Sequence, residues 1–292
     1  MKALVITADD FGLHEAVNEA VEQGARAGAL TAASLMVGAP AAADAVRRAR
    51  ALPALAVGLH LVLADGAPLL PPQRIPALVD ASGRFGGGMA RQGARFFALP
   101  AVRRQLAAEI RAQFAAFAAT GLPLDHVNAH KHFHLHPTLL TLMLRIGAEF
   151  GLKAVRWPRE PLWAARRAGL LAPLASGALV PWLALMRRRL RAADIACNDQ
   201  VFGVAATGAM DEPALLEILA RLPEGLTEIY LHPATCEPLT PSMRGYRHRA
   251  ELAALLSPRV QAALRASGAR TGGYRSLCAE RPRACAPPRH AA

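Results

Sequence analysis

The feature that most constrains the fold is a regular alternation of short apolar runs with longer helix-like stretches. The first apolar runs are Leu4–Ala8, Ala33–Val37 and Ala56–Leu61, and helical patterns follow the first two at Glu15–Ala27 and Ala41–Ala51. Runs that are apolar throughout indicate strands covered on both faces, and strand–helix repetition indicates parallel pairing. The sequence therefore predicts an α/β fold built on a parallel sheet.

The same alternation continues to the C-terminal third of the chain. Further predicted strands are His126–Ala129, Ala154–Trp157, Val201–Val204 and Thr227–Leu231. Further predicted helices are Val102–Ala119, Pro137–Phe150, a helix from just after Asp211 to Arg221, Arg249–Leu256 and Pro258–Ala266. This repetition favours a distorted TIM-like (β/α) barrel over an open sheet. No G-x-G-x-x-G follows the first strand, which argues against a dinucleotide-binding fold.

Length and composition predict one catalytic domain. The chain has 292 residues, which accommodates a barrel of about 250 residues over 1–278. Residues 64–93 are rich in Pro and Gly and predict a long loop, and residues 279–292 predict a disordered tail.

A helical insertion is predicted at residues 161–194. Within it, Leu170–Met186 is almost wholly apolar and lies between arginine clusters. Its length and two prolines argue against a transmembrane helix. Two alternatives stay open. The segment packs over the barrel, or residues 166–191 contact a membrane surface, with apolar side chains toward lipid and arginines toward anionic headgroups.

The net charge of +12 raises the possibility of a nucleic-acid partner. All but three of the 34 basic residues are arginines scattered along the chain, and only 5% of residues are aromatic. A nucleic-acid partner is therefore not expected. The four cysteines form no C-x-x-C pair, and the N-terminal apolar run is too short for a signal peptide. Both features predict a cytoplasmic location.

A histidine cluster points to metal chemistry. Five of the ten histidines lie within residues 126–136. Imidazole is a common ligand of divalent transition metals and a ready proton carrier. A helical segment would place His130 and His134 on one face, whereas an extended segment would align His130, His132, His134 and His136. The spacing alone does not choose between these alternatives.

Polar residues also lie at or just after the C-terminal ends of the predicted strands, where the catalytic groups of a (β/α) barrel lie. They are Asp9, Asp10, His60, His130, Arg156 and His232. Most of these signals have an ordinary structural alternative. The aspartates could form a turn or cap a helix, and His60 could be a hydrogen-bonded core residue. The histidine cluster around His130 could be a solvated polar loop, and Arg156 could form a surface ion pair. Their convergence on one end of a barrel favours a shared pocket.

Four motifs taken together resemble the YdjC-like carbohydrate deacetylases. They are Thr7–Gly12, Gly58–Leu61, Asn128–His132 and His232-Pro233, within a resemblance that covers roughly residues 1–268. The family implies divalent-metal enzymes on a barrel related to the polysaccharide deacetylases. Within it, the chain most resembles deacetylases associated with hopanoid biosynthesis, whose substrate is an N-acetylglucosaminyl hopanoid lipid.

The resemblance implies a ligand set for one divalent metal ion, formed by Asp10, His60 and His130. Two imidazoles and a carboxylate favour Zn²⁺, and Mg²⁺ is also compatible with the family. Such a set leaves positions open for water and substrate, as a catalytic metal requires.

The resemblance also implies the acid–base groups. Asp9 would be the general base that activates water, and His232 the general acid that protonates the departing amine. Arg156 would pair with Asp9 and orient it. His132, His134 and His136 are expected to line the pocket or to contact the metal ligands.

The predicted function is a cytoplasmic, metal-dependent N-deacetylase of an amino sugar. Its substrate would be lipid-linked, its membrane contact peripheral at the inner membrane, and its assembly a homodimer. The alternatives are a chitooligosaccharide or other amino-sugar deacetylase and a metal-dependent phosphoesterase. A further alternative is a non-catalytic sugar- or nucleic-acid-binding protein.

Overall fold

The fold is a curled parallel sheet surrounded by helices, in a computed structural model that describes residues 1–86, 88–165 and 177–279. The strands are β1 (Lys2–Phe11), β2 (Ala32–Leu35), β3 (Ala56–Leu61), β4 (Val127–Ala129), β5 (Gln200–Phe202), β6 (Gly225–Leu231) and β7 (Arg270–Thr271). Their order is β4-β3-β2-β1-β6-β5, and β7 pairs with the first half of β1. All pairs are parallel, so the predicted α/β fold is confirmed.

Two isolated parallel bridges bring the edges of this sheet together. Val127 of β4 pairs with Val155, and Ala154 pairs with Ala196, which lies just before β5. The predicted strand Ala154–Trp157 is therefore present only as these two bridges, which we call the seam (residues 154–155 and 196). The seam completes a distorted barrel rather than a regular one.

The helices pack around the outside of the sheet. They are α1 (Glu15–Arg26), α2 (Ala42–Arg50), α3 (Met89–Ala98), α4 (Pro100–Ala119), α5 (Pro137–Glu149), α6 (Leu162–Ala165), α7 (Val180–Ala192), α8 (Glu212–Ala220), α9 (His248–Leu256), α10 (Pro258–Ala266) and α11 (Tyr274–Ala279). Local chemistry sets several boundaries, as at α8, where the Asp211 side chain accepts a hydrogen bond from the Ala214 amide.

The core lies between the sheet and these helices. Its fully buried side chains include Leu4, Ile6, Leu59, Phe114 and Phe202. Burying each such side chain contributes about 1.5–3 kcal/mol relative to exposure. This core fixes the strand ends from which the functional side chains project.

Several predicted boundaries were wrong or incomplete. The predicted loop at residues 64–93 ends earlier, because α3 begins at Met89. The C-terminal β7 and α11 were not predicted, and Ala279, placed in the disordered tail, is the last residue of α11. Residues 280–292 lie outside the described residues, and the domain boundary at residue 278 stays a prediction.

The predicted insertion is described only in part. Residues 166–176, which include much of the apolar Leu170–Met186 segment, lie outside the described residues. The rest of that segment enters α7, where Leu183, Met186 and Leu190 are buried. Among the described residues, every helix is too short or too polar to cross a membrane.

Candidate metal centre and acid–base site

An irregularity at the end of β1 places two adjacent aspartates in one site. The β1–β2 register gains one residue on β1 between Ala8 and Phe11, and Asp10 has φ 62°. Neighbouring side chains of a regular strand point to opposite faces, whereas a bulge re-aims one of them. Left-handed backbone costs an ordinary residue about 1–3 kcal/mol. Both Asp9 and Asp10 are buried at the pocket end of the barrel.

Asp10, His60 and His130 form a compact group of potential metal ligands. Their ligand atoms all lie within 4.8 Å of one another. Asp10 Oδ1 is 3.2 Å from His60 Nε2 and 3.0 Å from His130 Nδ1. Burial opposes the ionisation of Asp10, but His130 and His60 hold its pKa well below the ordinary range. Asp10 is therefore a carboxylate at neutral pH.

The donor chemistry of this group fits a divalent cation. Asp10 Oδ2 is buried and has no hydrogen-bond partner among the described residues. An unsatisfied buried carboxylate oxygen is costly, and a cation would remove that cost. One carboxylate and two imidazoles suit Zn²⁺, whereas Mg²⁺ prefers oxygen ligands.

Asn128 orients one of these ligands, a role that the sequence analysis did not assign. Its Oδ1 lies 2.6 Å from His60 Nδ1, and its Nδ2 donates to Asp9 Oδ1 at 3.1 Å and to Ser34 Oγ at 3.0 Å. With Nδ1–H donating to Asn128, the lone pair of the neutral His60 ring lies on Nε2, the atom that would bind a metal ion. The available signal was the presence of Asn128 two residues before His130 in the same motif.

A chain of hydrogen bonds continues from Asn128 into the barrel interior. Ser34 Oγ is 3.1 Å from His126 Nε2, and His126 Nδ1 is 2.9 Å from Asp125 Oδ2. His126 is fully buried against Gly58, where a Cβ would lie 2.5 Å from the His126 ring. His126 thus belongs to the barrel interior and not to the metal-ligand group.

Arg156 forms two-point ion pairs with Asp9 and with Glu228. Its Nη1 and Nη2 donate to the two oxygens of Asp9 at 2.5 and 2.9 Å. Its Nε and Nη2 donate to Glu228 at 2.9 and 2.8 Å. Arg156 is 0% exposed, so the alternative of a surface ion pair is wrong.

Charge and burial together set the state of Asp9. Burial disfavours its ionised form, but the guanidinium of Arg156, with a smaller contribution from His60, holds the Asp9 pKa far below the ordinary range. Asp9 is consequently ionised, and both of its oxygens accept hydrogen bonds. Glu228 was not predicted as a site residue, because a glutamate within a strand pattern does not indicate which residue it pairs with.

His232 lies nearest to the Oδ2 atom of Asp10, whereas His60 and His130 lie near Oδ1. It follows β6, and its Nε2 is 4.0 Å from Asp10 Oδ2. The Glu251 carboxylate accepts the His232 backbone N–H, and His248 Nδ1 is 2.6 Å from the His232 carbonyl oxygen. Burial lowers the pKa of the His232 imidazole, against the opposing effect of Asp10 and Asp9.

The histidine cluster adopts neither of the two predicted conformations. Residues His130–Leu135 form tight 3-10 turns, and the consecutive residues Lys131 and His132 have φ 55° and 53°. These two left-handed residues reverse the chain immediately after His130. Only His130 of the cluster therefore reaches the metal-ligand group.

The remaining histidines contact other parts of the molecule. His132 Nε2 lies 2.9 Å from the Tyr230 hydroxyl, and His134 Nε2 lies 3.1 Å from the Arg156 carbonyl oxygen. Burial lowers the pKa of His134 to about 3, so that imidazole is neutral. His136 packs edge-on against the Phe96 ring. His134 is fully buried and does not line the pocket.

A large cleft opens beside the metal-ligand group. Its volume is about 780 Å³, and His130 is one of its lining residues. Much of the lining is aliphatic or thioether in character, from Leu13, Met36, Leu69, Leu239 and Met243. Asp65 and Arg84 supply charged groups at the same cleft. The cleft can thus hold a ligand with both polar and apolar parts.

Comparison with known proteins gives consistent matches over most of the chain. The family model described as YdjC-like protein matches residues 3–266. A carbohydrate deacetylase of Geobacillus stearothermophilus is 30% identical, over 94% of this chain and 97% of that protein. A chitooligosaccharide deacetylase of Serratia marcescens is 28% identical, over 94% of this chain and 99% of that protein.

A solved structure supports the same relationship. The crystal structure of a protein from Enterococcus faecalis V583, whose description assigns it provisionally to cellobiose-phosphate cleavage, has a TM-score of 0.73 and 26% identity. The alignment covers 94% of this chain and 98% of that chain. The similarity therefore extends over nearly the whole barrel.

Proposed function

The chain belongs to the YdjC-like family, and on that premise we propose that it is a metal-dependent N-deacetylase of N-acetylglucosamine-type sugars. The relatives named carbohydrate deacetylase and chitooligosaccharide deacetylase support an amide hydrolase that acts on sugars. The observation that carries the proposal is the buried Asp10–His60–His130 group beside the Asp9–Arg156 pair. A carboxylate–imidazole ligand set beside a fixed carboxylate suits hydrolysis of an unactivated amide.

Asp10, His60 and His130 would hold the ion, with Zn²⁺ favoured by the two imidazoles. When bound, such an ion supplies positive charge that polarises the acetamide carbonyl and activates water for attack. The chain's own contribution is geometry. The β1 bulge directs Asp10, and Asn128 fixes the ring orientation of His60. Groups that orient metal ligands in this way commonly raise metal affinity 10–100-fold, as an order of magnitude.

Asp9 and His232 would move the protons. Water attacks the carbonyl carbon as Asp9 accepts a proton, and the C–N bond breaks as His232 donates a proton to the amine nitrogen. Arg156 fixes Asp9 through two hydrogen bonds but also lowers its proton affinity. Asp9 would accordingly hold the proton only briefly, before it passes to His232 and replaces the proton that His232 gives to the amine. The products are acetate and the free amino sugar.

We propose that the substrate is an amino sugar linked to an aliphatic lipid, specifically an N-acetylglucosaminyl hopanoid. The support is the cleft of about 780 Å³, whose described lining is rich in aliphatic side chains and contains no Phe, Tyr or Trp. Aliphatic surface favours burial of an aliphatic group. A chitooligosaccharide or another amino sugar is the alternative substrate, favoured by the Serratia marcescens relative.

Location and assembly are part of the same proposal. A lipid-linked substrate would require access to a membrane, so we place the enzyme in the cytoplasm with peripheral contact to the inner membrane through residues 166–191. The absence of a spanning helix among the described residues is compatible with such contact. A homodimer is proposed on the family resemblance alone.

Acetate release tests the function directly. Metal-loaded protein is incubated with an N-acetylglucosaminyl lipid and, separately, with a chitooligosaccharide, and acetate is measured. Asp9→Asn should bind metal normally and release little acetate, whereas Asp10→Asn should lose metal. Asp194→Asn, at an exposed position whose φ of 55° asparagine tolerates, is the control. Absence of acetate from every N-acetylated sugar would reject the function, and full activity of Asp9→Asn would reject the assigned base.

A further inference from the structure

A second cavity lies outside the barrel, against α7. Its volume is about 330 Å³, and its lining combines the Trp157 ring and apolar residues of α7 with four arginines, Arg159, Arg187, Arg188 and Arg191. Trp157 directly follows Arg156, but its Nε1–H donates to the Leu183 carbonyl oxygen at 2.8 Å, toward α7. The cavity is therefore separate from the metal-ligand group and from its cleft.

The charges around this cavity are unbalanced. Arg187 pairs with Asp199 and lies 4.7 Å from the centre of the Trp157 ring. Arg159 lies over the same ring at 5.8 Å. Within the described parts of the chain, no carboxylate pairs with Arg159, Arg188 or Arg191. Guanidinium groups bind phosphate oxygens through paired hydrogen bonds, so the cavity suits a phosphate-bearing anion.

The surface next to the cavity is apolar. Val180 and Leu185 on α7 are 49% and 47% exposed, and Leu179 before the helix is 44% exposed. The opposite face of the helix, which carries Leu183, Met186 and Leu190, is buried in the core. The outer face of α7 is accordingly aliphatic in its first half and basic in its second.

The combination of arginines with exposed aliphatic side chains favours a phospholipid over a free phosphate ion. A free phosphate ion would use the arginines and gain nothing from exposed valine and leucine side chains. A phospholipid in a bilayer uses both, because aliphatic residues enter the acyl boundary while arginines remain at the headgroups. Basic residues at an anionic membrane surface each add to the binding strength.

We propose that the α7 cavity binds the phosphate headgroup of an anionic phospholipid and seats the enzyme on the membrane. The inference rests on the proposed peripheral membrane contact and gives it a defined site and chemistry. It makes no use of the metal or of catalysis. Its test can therefore fail while the deacetylase function stands, and the reverse also holds.

Vesicle co-sedimentation of the full chain tests the proposal. Vesicles of phosphatidylcholine alone are compared with vesicles that also contain phosphatidylglycerol. Wild type should bind the anionic vesicles, and Arg188→Gln/Arg191→Gln should bind them roughly tenfold more weakly or worse. Acetate release from a water-soluble N-acetylglucosamine conjugate should stay unchanged in this double variant, which shows that it is folded.

The matched control addresses the net charge of +12, which attracts the whole chain to any anionic surface. Arg103→Gln/Arg104→Gln removes two exposed arginines of α4 and should retain binding. Equal weakening by both double variants would overturn the proposal in favour of diffuse charge attraction.

A third variant separates lipid from free anion. Val180→Ser/Leu185→Ser should also weaken vesicle binding. Undiminished binding of this variant to the vesicles, together with competition by millimolar inorganic phosphate, would overturn the lipid assignment and leave a site for soluble phosphate. Absence of wild-type binding to phosphatidylglycerol vesicles would overturn it outright.

Discussion

Arg156 and Glu228 are joined by two hydrogen bonds inside the barrel, at 2.9 and 2.8 Å, and neither side chain is exposed to solvent. Glu228 also accepts hydrogen bonds from Thr7 Oγ1 at 2.7 Å and from the Tyr274 hydroxyl at 2.6 Å. Glu228 therefore fixes the Arg156 guanidinium on one side, and Asp9 pairs with it on the other. The position of Asp9 consequently depends on side chains from three separate strands or helices.

Arg156→Lys should impair catalysis more than metal binding. A single ammonium group cannot form paired hydrogen bonds with two carboxylates, so Asp9 would lose its fixed orientation. We expect kcat to fall about 100-fold, the order of magnitude for a misplaced catalytic group. Measurement of kcat and of bound metal in the same preparation checks this. Wild-type kcat in Arg156→Lys would show that Asp9 needs no such orientation.

Asn128→Ala should weaken metal binding. His60 would lose its acceptor at Nδ1, and its ring could rotate or change tautomer. Removal of a group that orients a metal ligand typically lowers affinity about 10–100-fold. Competition with a metal chelator gives the dissociation constant. Ser34→Ala, which removes only a neighbour of Asn128, is the matched control and should have a smaller effect; equal effects would contradict a direct role for Asn128.

Gly58→Ala should destabilise the fold. A Cβ at this position would lie 2.6 Å from the His126 carbonyl oxygen, so β3 and β4 would have to separate. We expect a loss of about 1–3 kcal/mol in the free energy of unfolding, in line with other overpacked cores. Urea denaturation provides the measurement. The control is Gly245→Ala, where nothing lies within 4 Å of the added Cβ. Similar stability of the two variants would argue against the close approach.

Stability should depend on pH through Glu251. Burial raises the pKa of this carboxyl to about 7 from its ordinary 4.5, although the Met210 and His232 amides oppose the shift. The folded state thus binds more protons than the unfolded state between these values. The stabilising contribution is fully present below about pH 4.5 and is lost as pH rises through 7.

Glu251→Gln tests that dependence. Between pH 4.5 and pH 8 the wild type should lose up to about 3 kcal/mol relative to this variant. Urea unfolding at both pH values measures the difference, and Glu149→Gln, at an exposed ion pair with Arg111, is the control. A wild type that gains stability relative to Glu251→Gln over this range would contradict the raised pKa.

Much of the fold could be predicted from hydrophobic pattern alone. The strand at Ala56–Leu61 and the helix at Pro258–Ala266 match the structure at both ends. These elements have strong local signals, namely a continuous apolar run and a Ser257–Pro258 helix start. The short C-terminal β7 has no such signal, because it consists of two exposed residues that pair with the backbone of β1.

The candidate site could be predicted only in part. The sequence indicated Asp10, His60 and His130 through motif resemblance, and the structure brings them together. Asn128 and Glu228 were missed because their partners are distant in sequence: Glu228 and Arg156 are 72 residues apart. The turn after His130 depends on backbone angles that ordinary residues rarely adopt, so periodicity could not reveal it.

The thin seam at residues 154–155 and 196 has a consequence for how the barrel opens. Few backbone hydrogen bonds cross it, yet Arg156 reaches from one side of the seam to β1 and β6 on the far wall. The ion pairs of Arg156 with Asp9 and Glu228 thus hold the two sides of the barrel together where backbone hydrogen bonds are few. The amide hydrogens of Val127, Val155 and Ala196 should exchange with solvent at the same rate, in one local opening event. The same event should break the ion pair between Arg156 and Asp9. Catalytic geometry and barrel closure would then be gained and lost as a single unit.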